Sequence, residues 1–358
     1  STSDPFQWWE TANQLRETYR GQVYQGLSGE QGRLSRSDLL DILEAYESKL
    51  EEGIARAEAL TEGAVPPTYI RHEMTAYRVL KNSRGEVLRD AENRPHLQAR
   101  EFSAHPLPLF LEGAVRSLKV VSGKEEAGKL HQAVKASSLY DRKLEMFKLN
   151  ASLEKETQEI GRARAFTPGW LENESIWLHM SYKYLLGLLQ TGLYEEFWEE
   201  AEHGLVCYQP PARYGRSPLE NSSFLVSSAH PDQGLHGAGF VARLSGSTAE
   251  FVQMWSLIMA GKEPFFVKEN GLHLGLHPVL PARFFDERDQ AGFNFLGSIP
   301  VTYHNPGRED SWKLSPVEYR LHVQEGSIQK LERREIPPPY AALIRDRGLV
   351  KLDVILGP

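Results

Sequence analysis

The sequence predicts a mainly helical chain followed by a β-domain. Apolar residues recur at helical spacing over much of residues 1–262. Short apolar runs separated by Gly, Pro, Asn and Asp then follow over residues 263–358. Because regularly punctuated short strands are typical of a sandwich or jelly roll, we expect a helical domain over 1–262 and a β-sandwich domain over 263–358.

Composition sets limits on the class of protein. The chain has 358 residues, 41% hydrophobic and 25% charged, as in an ordinary globular protein. Its net charge of −7 argues against nucleic acid as the main partner. The single cysteine, Cys207, cannot form an internal disulfide and fits a reducing compartment. The sequence contains no signal peptide and no apolar run long enough to cross a membrane, so we expect a cytoplasmic protein.

The first hundred residues predict two helices followed by a β-hairpin or extended segment. Helical spacing of apolar residues covers 5–24 and 35–60, and Ser35 with Asp38 resembles a capping box at the second start. The many glutamates of the second helix indicate a solvated face. Residues 64–102 alternate in polarity and contain turn-forming residues, which predicts a β-hairpin or an extended excursion.

A third long helix follows the turn Trp170 to Ser175. Asn173 is its candidate N-cap, and His179 lies within an otherwise apolar helical segment. A histidine in such a place is more often a core residue than a ligand. Here it follows carboxylate, amide and aromatic groups, which are the groups that bind sugar hydroxyls and sugar ring faces. Both interpretations stay open at this point.

A fourth helix begins near Ser247, after a glycine-rich segment that ends at Gly246. Ser247 and Glu250 have the spacing of a capping box. The amides of this first turn, with the hydroxyls of Ser245 and Ser247, have the chemistry of a phosphate cradle. The simpler interpretation is that Ser247 only caps a buried helix.

Taken in order, these motifs resemble a known family. Glu172-Asn173, His179 seven residues after Glu172, Glu220-Asn221 and Ser245-Gly246-Ser247 are similar to the second half of the catalytic domain of inverting glycoside phosphorylases of the cellobiose and chitobiose phosphorylase type. That family has a Glu-Asn-Gly-Gly motif, a phosphate-binding histidine and a Thr-Gly-Thr motif. The resemblance covers residues 162–281. Glu174 and Ser175 stand in place of the two glycines.

The resemblance implies a fold, a reaction and roles for residues. It implies an (α/α)6-barrel helical region, complete or partial, followed by a β-sandwich or jelly roll. The implied reaction is phosphorolysis of a β-linked glucoside or oligosaccharide to a sugar 1-phosphate with inversion, with phosphate as co-substrate and neither cofactor nor metal. The implied ligands of phosphate are His179, Ser245, Gly246 and Ser247. Sugar hydroxyls would be bound by Glu172, Asn173 and Glu220.

The family's general acid lies in a Trp-Asn-Asp motif, whose nearest counterpart here is Trp8-Trp9-Glu10. Glu10 is the candidate acid, although it reads equally well as a helix-surface carboxylate. If the acid instead precedes Ser1, the chain is part of a longer enzyme and associates with that missing portion; a homo-oligomer is the other expectation. Two further hypotheses remain: a hydrolase or transglycosylase acting on β-glucans, and a non-catalytic carbohydrate-binding or assembly subunit.

Overall fold

A computed structural model describes most of the chain. The described residues are 5–59, 65–121, 123–241, 245–323 and 326–358. They belong to two compact units, residues 1–108 and residues 109–358. The domain division expected at residue 262 stays a prediction.

The elements of the described residues are as follows. The helices are α1 (Pro5–Val23), α2 (Arg36–Ala59), α3 (Leu111–Ser117), α4 (Lys124–Ala136), α5 (Leu178–Gln190), α6 (Tyr194–Gly204), α7 (Pro211–Tyr214), α8 (Ser245–Ala260) and α9 (Tyr340–Arg345). The strands are β1 (Ile70–Val79), β2 (Leu97–Pro106), β3 (Tyr140–Asp141), β4 (Met146–Phe147), β5 (Ile176–Trp177), β6 (Phe224–Leu225), β7 (Gly239–Phe240), β8 (Phe265–Lys268), β9 (Gly271–Leu274), β10 (Gln290–Phe295), β11 (Ile299–His304), β12 (Ser315–Val323), β13 (Ile328–Leu331) and β14 (Leu349–Gly357).

The unit of residues 1–108 contains α1, α2 and the β1–β2 hairpin. Both helices predicted from apolar spacing are confirmed. The hairpin is antiparallel, with Ile70 opposite Pro106. The rings of Phe6 and Trp9 lie 6.0 and 5.4 Å from that of Phe102, so α1 packs on the hairpin through aromatic contacts.

In the unit of residues 109–358, α5 is the central helix and contacts α3, α6 and α8. Leu185, Leu188 and most of its other side chains are buried, because apolar residues surround this helix on nearly every side. Gly187 allows α5 to approach the α3 end closely. A methyl group on its α-carbon would lie 2.8 Å from Cδ1 of Leu118. The position of α5, and therefore of every side chain at its start, is fixed by packing on three sides.

A buried polar cluster links α4, α5 and α6. Nδ1 of His131 lies 2.9 Å from the hydroxyl of Tyr184, and Nε2 lies 3.7 Å from Oε1 of Glu200. Lys135 pairs with Glu200 at 2.7 Å. Burial lowers the pKa of His131 to about 4 and raises that of Glu200. His131 is therefore neutral at physiological pH.

The largest sheet has the strand order β10-β11-β14-β12-β13. β11 and β14 are parallel, and the other neighbours are antiparallel. One face carries buried residues such as Tyr303, Tyr319 and Val354. The opposite face is polar: Asp353 accepts hydrogen bonds from Nε2 of His304 at 3.1 Å and from Nε2 of His322 at 2.7 Å. This alternation is that of a sheet with one face on the core.

The prediction of an (α/α)6 barrel followed by a β-sandwich or jelly roll is wrong. The structure is 38% helical and 24% strand, with the strands in small separate sheets, and its described residues form no closed barrel. Such a barrel closes two concentric rings of helices, whereas α3, α7 and α9 are only seven, four and six residues long. A sandwich places two sheets face to face, but the outer face of the five-stranded sheet carries a polar cluster. Amphipathic periodicity specifies that each helix has an apolar face and leaves open what that face packs against and how many helices share one core.

Candidate anion site

A small sheet sets the starts of α5 and α8 side by side. β5, β6 and β7 have two residues each, and Trp177, Phe224 and Phe240 pair across them. Beyond the sheet, the amide of Leu178 donates to the carbonyl of Ser223 at 3.1 Å, and the amide of Ser223 donates to that of Val241 at 2.6 Å. The segment before α8 therefore runs beside the first residue of α5.

The side chain of His179, at the start of α5, packs against the first turn of α8. A methyl group on the α-carbon of Gly246 would lie 2.7 Å from Nδ1 and 2.8 Å from Cε1 of the imidazole. Real Cβ atoms essentially never come so close, so glycine is required for this contact. The expected meeting of the imidazole and the start of the later helix is therefore present in the structure.

Two charged side chains act on His179. Nε2 lies 3.7 Å from Oε1 of Glu250, which is longer than a hydrogen bond. Lys183 follows one helical turn later. Burial lowers the pKa of His179 below its usual 6.5, the positive charge of Lys183 lowers it further, and Glu250 opposes both effects. The imidazole is thus mainly neutral at physiological pH and offers one N–H donor.

The other residues of the proposed cradle differ in accessibility. α8 begins at Ser245, two residues before the predicted cap. Ser247 is fully buried, Gly246 is half-buried and Thr248 is exposed. The side chain of Ser245 and residues 242–244 lie outside the described residues. An anion beside His179 would therefore meet the turn chiefly at Gly246 and Thr248, at the positive end of the helix dipole.

Glu172 and Asn173 lie before β5, at the opposite end of that strand from His179. The guanidinium of Arg162 donates to both carboxylate oxygens of Glu172, at 2.8 and 2.6 Å. Nδ2 of Asn173 donates to the carbonyl of Phe166 at 2.7 Å. Both side chains already have protein partners, and Asn173 is buried.

A buried ion pair adjoins this turn. Glu174 is buried in a left-handed conformation with a φ of 58°, and Lys148 pairs with it at 2.7 Å. The amide of Glu174 donates to Oδ1 of Asn150 at 2.7 Å. Nδ2 of Asn150 and Oδ1 of Asn173, both buried, have no hydrogen-bond partner among the described residues. A strained backbone next to unsatisfied polar atoms is a feature found at ligand sites.

Glu220 is exposed on the His179 side of the small sheet and pairs with Arg216 at 3.4 Å. Its neighbour Asn221 accepts a hydrogen bond from the hydroxyl of Tyr182 at 3.0 Å. Glu10 lies half-buried in α1, within the unit of residues 1–108. The structure therefore brings His179 and Gly246 together, places Glu172 and Asn173 at the far end of β5, and holds Glu10 in the other unit.

Comparisons with known proteins add no assignment. No protein-family model matches the chain, and no curated protein matches it. Within the described ranges, no helix combines the length and the apolar character that a membrane crossing requires. Nor do the described residues include a group of three or more His, Cys, Asp or Glu side chains placed to hold a metal ion.

Sequence reasoning missed Lys183, Glu250 as a neighbour of the imidazole, and the Lys148–Glu174 pair. Lys183 could have been found, because it is four residues after His179 and lies on the same helix face. The sequence pattern indicates Glu250 only as a possible capping residue. Lys148 carries no local signal, since its partner is 26 positions away in the chain.

Proposed function

We propose that the chain carries out phosphorolysis of a β-linked glucoside or oligosaccharide, with inorganic phosphate bound beside the contact of His179 with the first turn of α8. One observation carries this proposal: the imidazole of His179 packs against Gly246, where the amides of α8 begin. A neutral imidazole N–H, the charge of Lys183 and the positive end of a 16-residue helix act together on an anion there.

Glu250 favours phosphate over other anions of the same shape. A bare carboxylate repels a fully ionised oxyanion. Monohydrogen phosphate carries a proton and donates it in a hydrogen bond to the carboxylate, while its other oxygens accept from the amides and the imidazole. Sulfate has no proton to donate at neutral pH. The site therefore binds phosphate more tightly than sulfate, because a hydrogen bond to a charged group contributes about 1.5–3 kcal/mol.

In the reaction, a phosphate oxygen attacks the anomeric carbon from the face opposite the glycosidic oxygen. The carbon–oxygen bond to the leaving sugar breaks, and a carboxylic acid gives its proton to that oxygen. Phosphate is itself the anionic nucleophile, so one carboxylic acid suffices, unlike the pair used by hydrolytic glycosidases. The candidate for that acid in the sequence, Glu10, lies in the unit of residues 1–108. The product is an α-linked sugar 1-phosphate.

The test separates binding from chemistry. Phosphate and sulfate are titrated into the protein by calorimetry, and β-linked gluco-oligosaccharides are incubated with and without phosphate while sugar 1-phosphate is followed by phosphorus NMR. Phosphate is expected to bind at least roughly tenfold more tightly than sulfate. His179→Ala should abolish this binding. His203→Ala is the control, because His203 lies at the end of α6 and its imidazole pairs with Glu145 at 3.3 Å.

Each outcome decides between functions. Sugar 1-phosphate that depends on phosphate and on His179 supports phosphorolysis. Release of free sugar without phosphate identifies a hydrolase or transglycosylase instead. Phosphate binding without turnover over a broad panel of β-linked sugars indicates a non-catalytic binding subunit. Equal affinity for phosphate and sulfate, or binding unchanged in His179→Ala, refutes the site itself.

A further inference from the structure

A cleft lies beside the later turns of α8. It has a volume of about 760 Å³ and separates these turns from the β10–β11 turn. Binding pockets for small ligands commonly have volumes of ~300–1,000 Å³. Phe251 and Trp255 are five and nine positions after Gly246 on the helix, so the lining of the cleft begins about 8 Å from the anion site along the helix axis and reaches Trp255 at about 14 Å.

The lining of the cleft has a distinctive chemistry. It contains four aromatic side chains, Phe251, Trp255, Phe293 and Phe295. Three carboxamide side chains, those of Gln190, Gln253 and Asn294, also line it. Of the described residues that form its walls, Lys262 is the only one with a charged side chain.

This combination matches a neutral sugar chain. Aromatic faces pack against the C–H groups of pyranose rings, and carboxamides both donate to and accept from hydroxyls. An uncharged ligand leaves no ion to be paired, which agrees with a nearly uncharged lining. Gln253 and Asn294 are exposed while Trp255 and Phe293 are half-buried, so polar groups lie at the edge of the cleft and rings at its floor. An acyl chain has neither donor nor acceptor, so it would form no hydrogen bond with the carboxamides of the lining.

We infer that this cleft binds a β-linked gluco-oligosaccharide outside the anion site. The identity of the sugar rests on the proposed function, whereas the site itself rests on the lining. The cleft would hold a length of chain away from the anomeric carbon under attack and raise the affinity for longer substrates.

The experiment measures retention of glycans and binding of phosphate in the same proteins. Cellohexaose and laminarihexaose serve as β-linked probes, maltohexaose as the α-linked comparison, and a fluorescent acyl probe as the apolar competitor. Trp255→Ala is expected to weaken binding of a β-linked probe roughly tenfold. Gln253→Ala and Asn294→Ala, at exposed positions, should weaken it several-fold with the fold intact. Trp312→Ala is the control, because its half-buried ring lies outside the cleft and donates to Glu195 at 2.8 Å.

The two proposals fail separately. Weaker glycan binding in the cleft variants with unchanged phosphate binding supports the inference, and His179→Ala should retain glycan binding. Glycan binding that is unaffected by all three cleft variants overturns it, as does acyl-probe binding in the cleft without any glycan binding. If phosphate fails to bind while the cleft variants still lose glycan affinity, the proposed reaction is refuted and the glycan site is supported.

Discussion

Gly246→Ala tests the contact on which the proposed reaction depends. The added methyl carbon would meet Nδ1, Cε1 and Cγ of His179 at 2.7, 2.8 and 2.9 Å. Ordinary van der Waals contact begins at 3.4 Å, so the ring must move by about 0.7 Å or leave its rotamer. The colliding group is a side chain rather than backbone, so displacement of the imidazole is the expected response. The fold is expected to survive.

The effect on stability is small because two contributions oppose each other. Replacing a glycine in a helix interior by alanine stabilises by about 0.5–1 kcal/mol, which is an upper bound for Gly246 in the first turn, and an off-rotamer imidazole costs about 0.5–1.5 kcal/mol. Phosphate affinity should fall far more, by roughly 10-fold to 100-fold, because the displaced imidazole no longer donates to the anion.

Calorimetric titration with phosphate and urea denaturation measure the two effects. Gly128→Ala is the matched control, since Gly128 lies within α4 and its added carbon would be 3.8 Å from Leu193, an ordinary contact. That variant should be slightly more stable and bind phosphate normally. Phosphate binding by Gly246→Ala at wild-type affinity would refute the placement of phosphate beside His179.

Three further predictions concern other charges. Glu250→Gln should reduce the preference for phosphate over sulfate at least roughly tenfold in competition titrations, since the neutral amide no longer repels sulfate. Lys148→Met should destabilise the protein by about 3–5 kcal/mol in urea denaturation, because it leaves Glu174 buried and unpaired. Arg162→Met removes a pair whose arginine side chain is 77% exposed, so it should have a much smaller effect on stability. The free energy of unfolding should decrease as the pH is lowered from 6.5 towards 4. Over this range His131 is protonated in the unfolded chain, whose histidine pKa is about 6.5, but stays neutral in the folded protein, where its pKa is about 4. That loss is at most about 3 kcal/mol and should be absent from His131→Gln.

Each of these has a contrary result. An unchanged anion preference in Glu250→Gln would show that the carboxylate does not contact the anion. Equal losses in Lys148→Met and Arg162→Met would mean that burial of the pair has no energetic consequence. For His131, parallel pH profiles of the wild type and the variant would contradict the reasoning. Burial raises the pKa of Glu200, so this residue contributes stability as the pH falls. Because the wild type and His131→Gln both contain Glu200, its contribution cancels when their pH profiles are compared.

The sequence predicts local elements better than their assembly. Apolar spacing locates α1 and α2, because the helical period is a local pattern that depends only on residues within the same segment. The strand signals after residue 262 likewise correspond to real strands such as β11 and β12. The contact between His179 and Gly246 was expected only through the resemblance, since the two residues are far apart in the chain.

What could not be predicted depends on distant partners. The ion pair of Lys148 with Glu174 and the hydrogen bond of Tyr182 to Asn221 join segments 26 and 39 positions apart. The sequence does not distinguish a barrel from this fold, because the apolar face of a helix has the same pattern whether it packs on two neighbouring helices or in a closed ring. The polar face of the five-stranded sheet does not fit a sandwich, and it becomes visible only when His304, His322 and Asp353 are placed side by side.

The position of β14 has a consequence for biosynthesis. This strand lies between β11 and β12, yet β12, β13 and α9 all precede it in the chain. Until the ribosome has released residues 349–357, the β10–β11 and β12–β13 hairpins exist as two separate ribbons, each with an unpaired inner edge open to aggregation. Slower translation of residues 349–357 would lengthen that exposure.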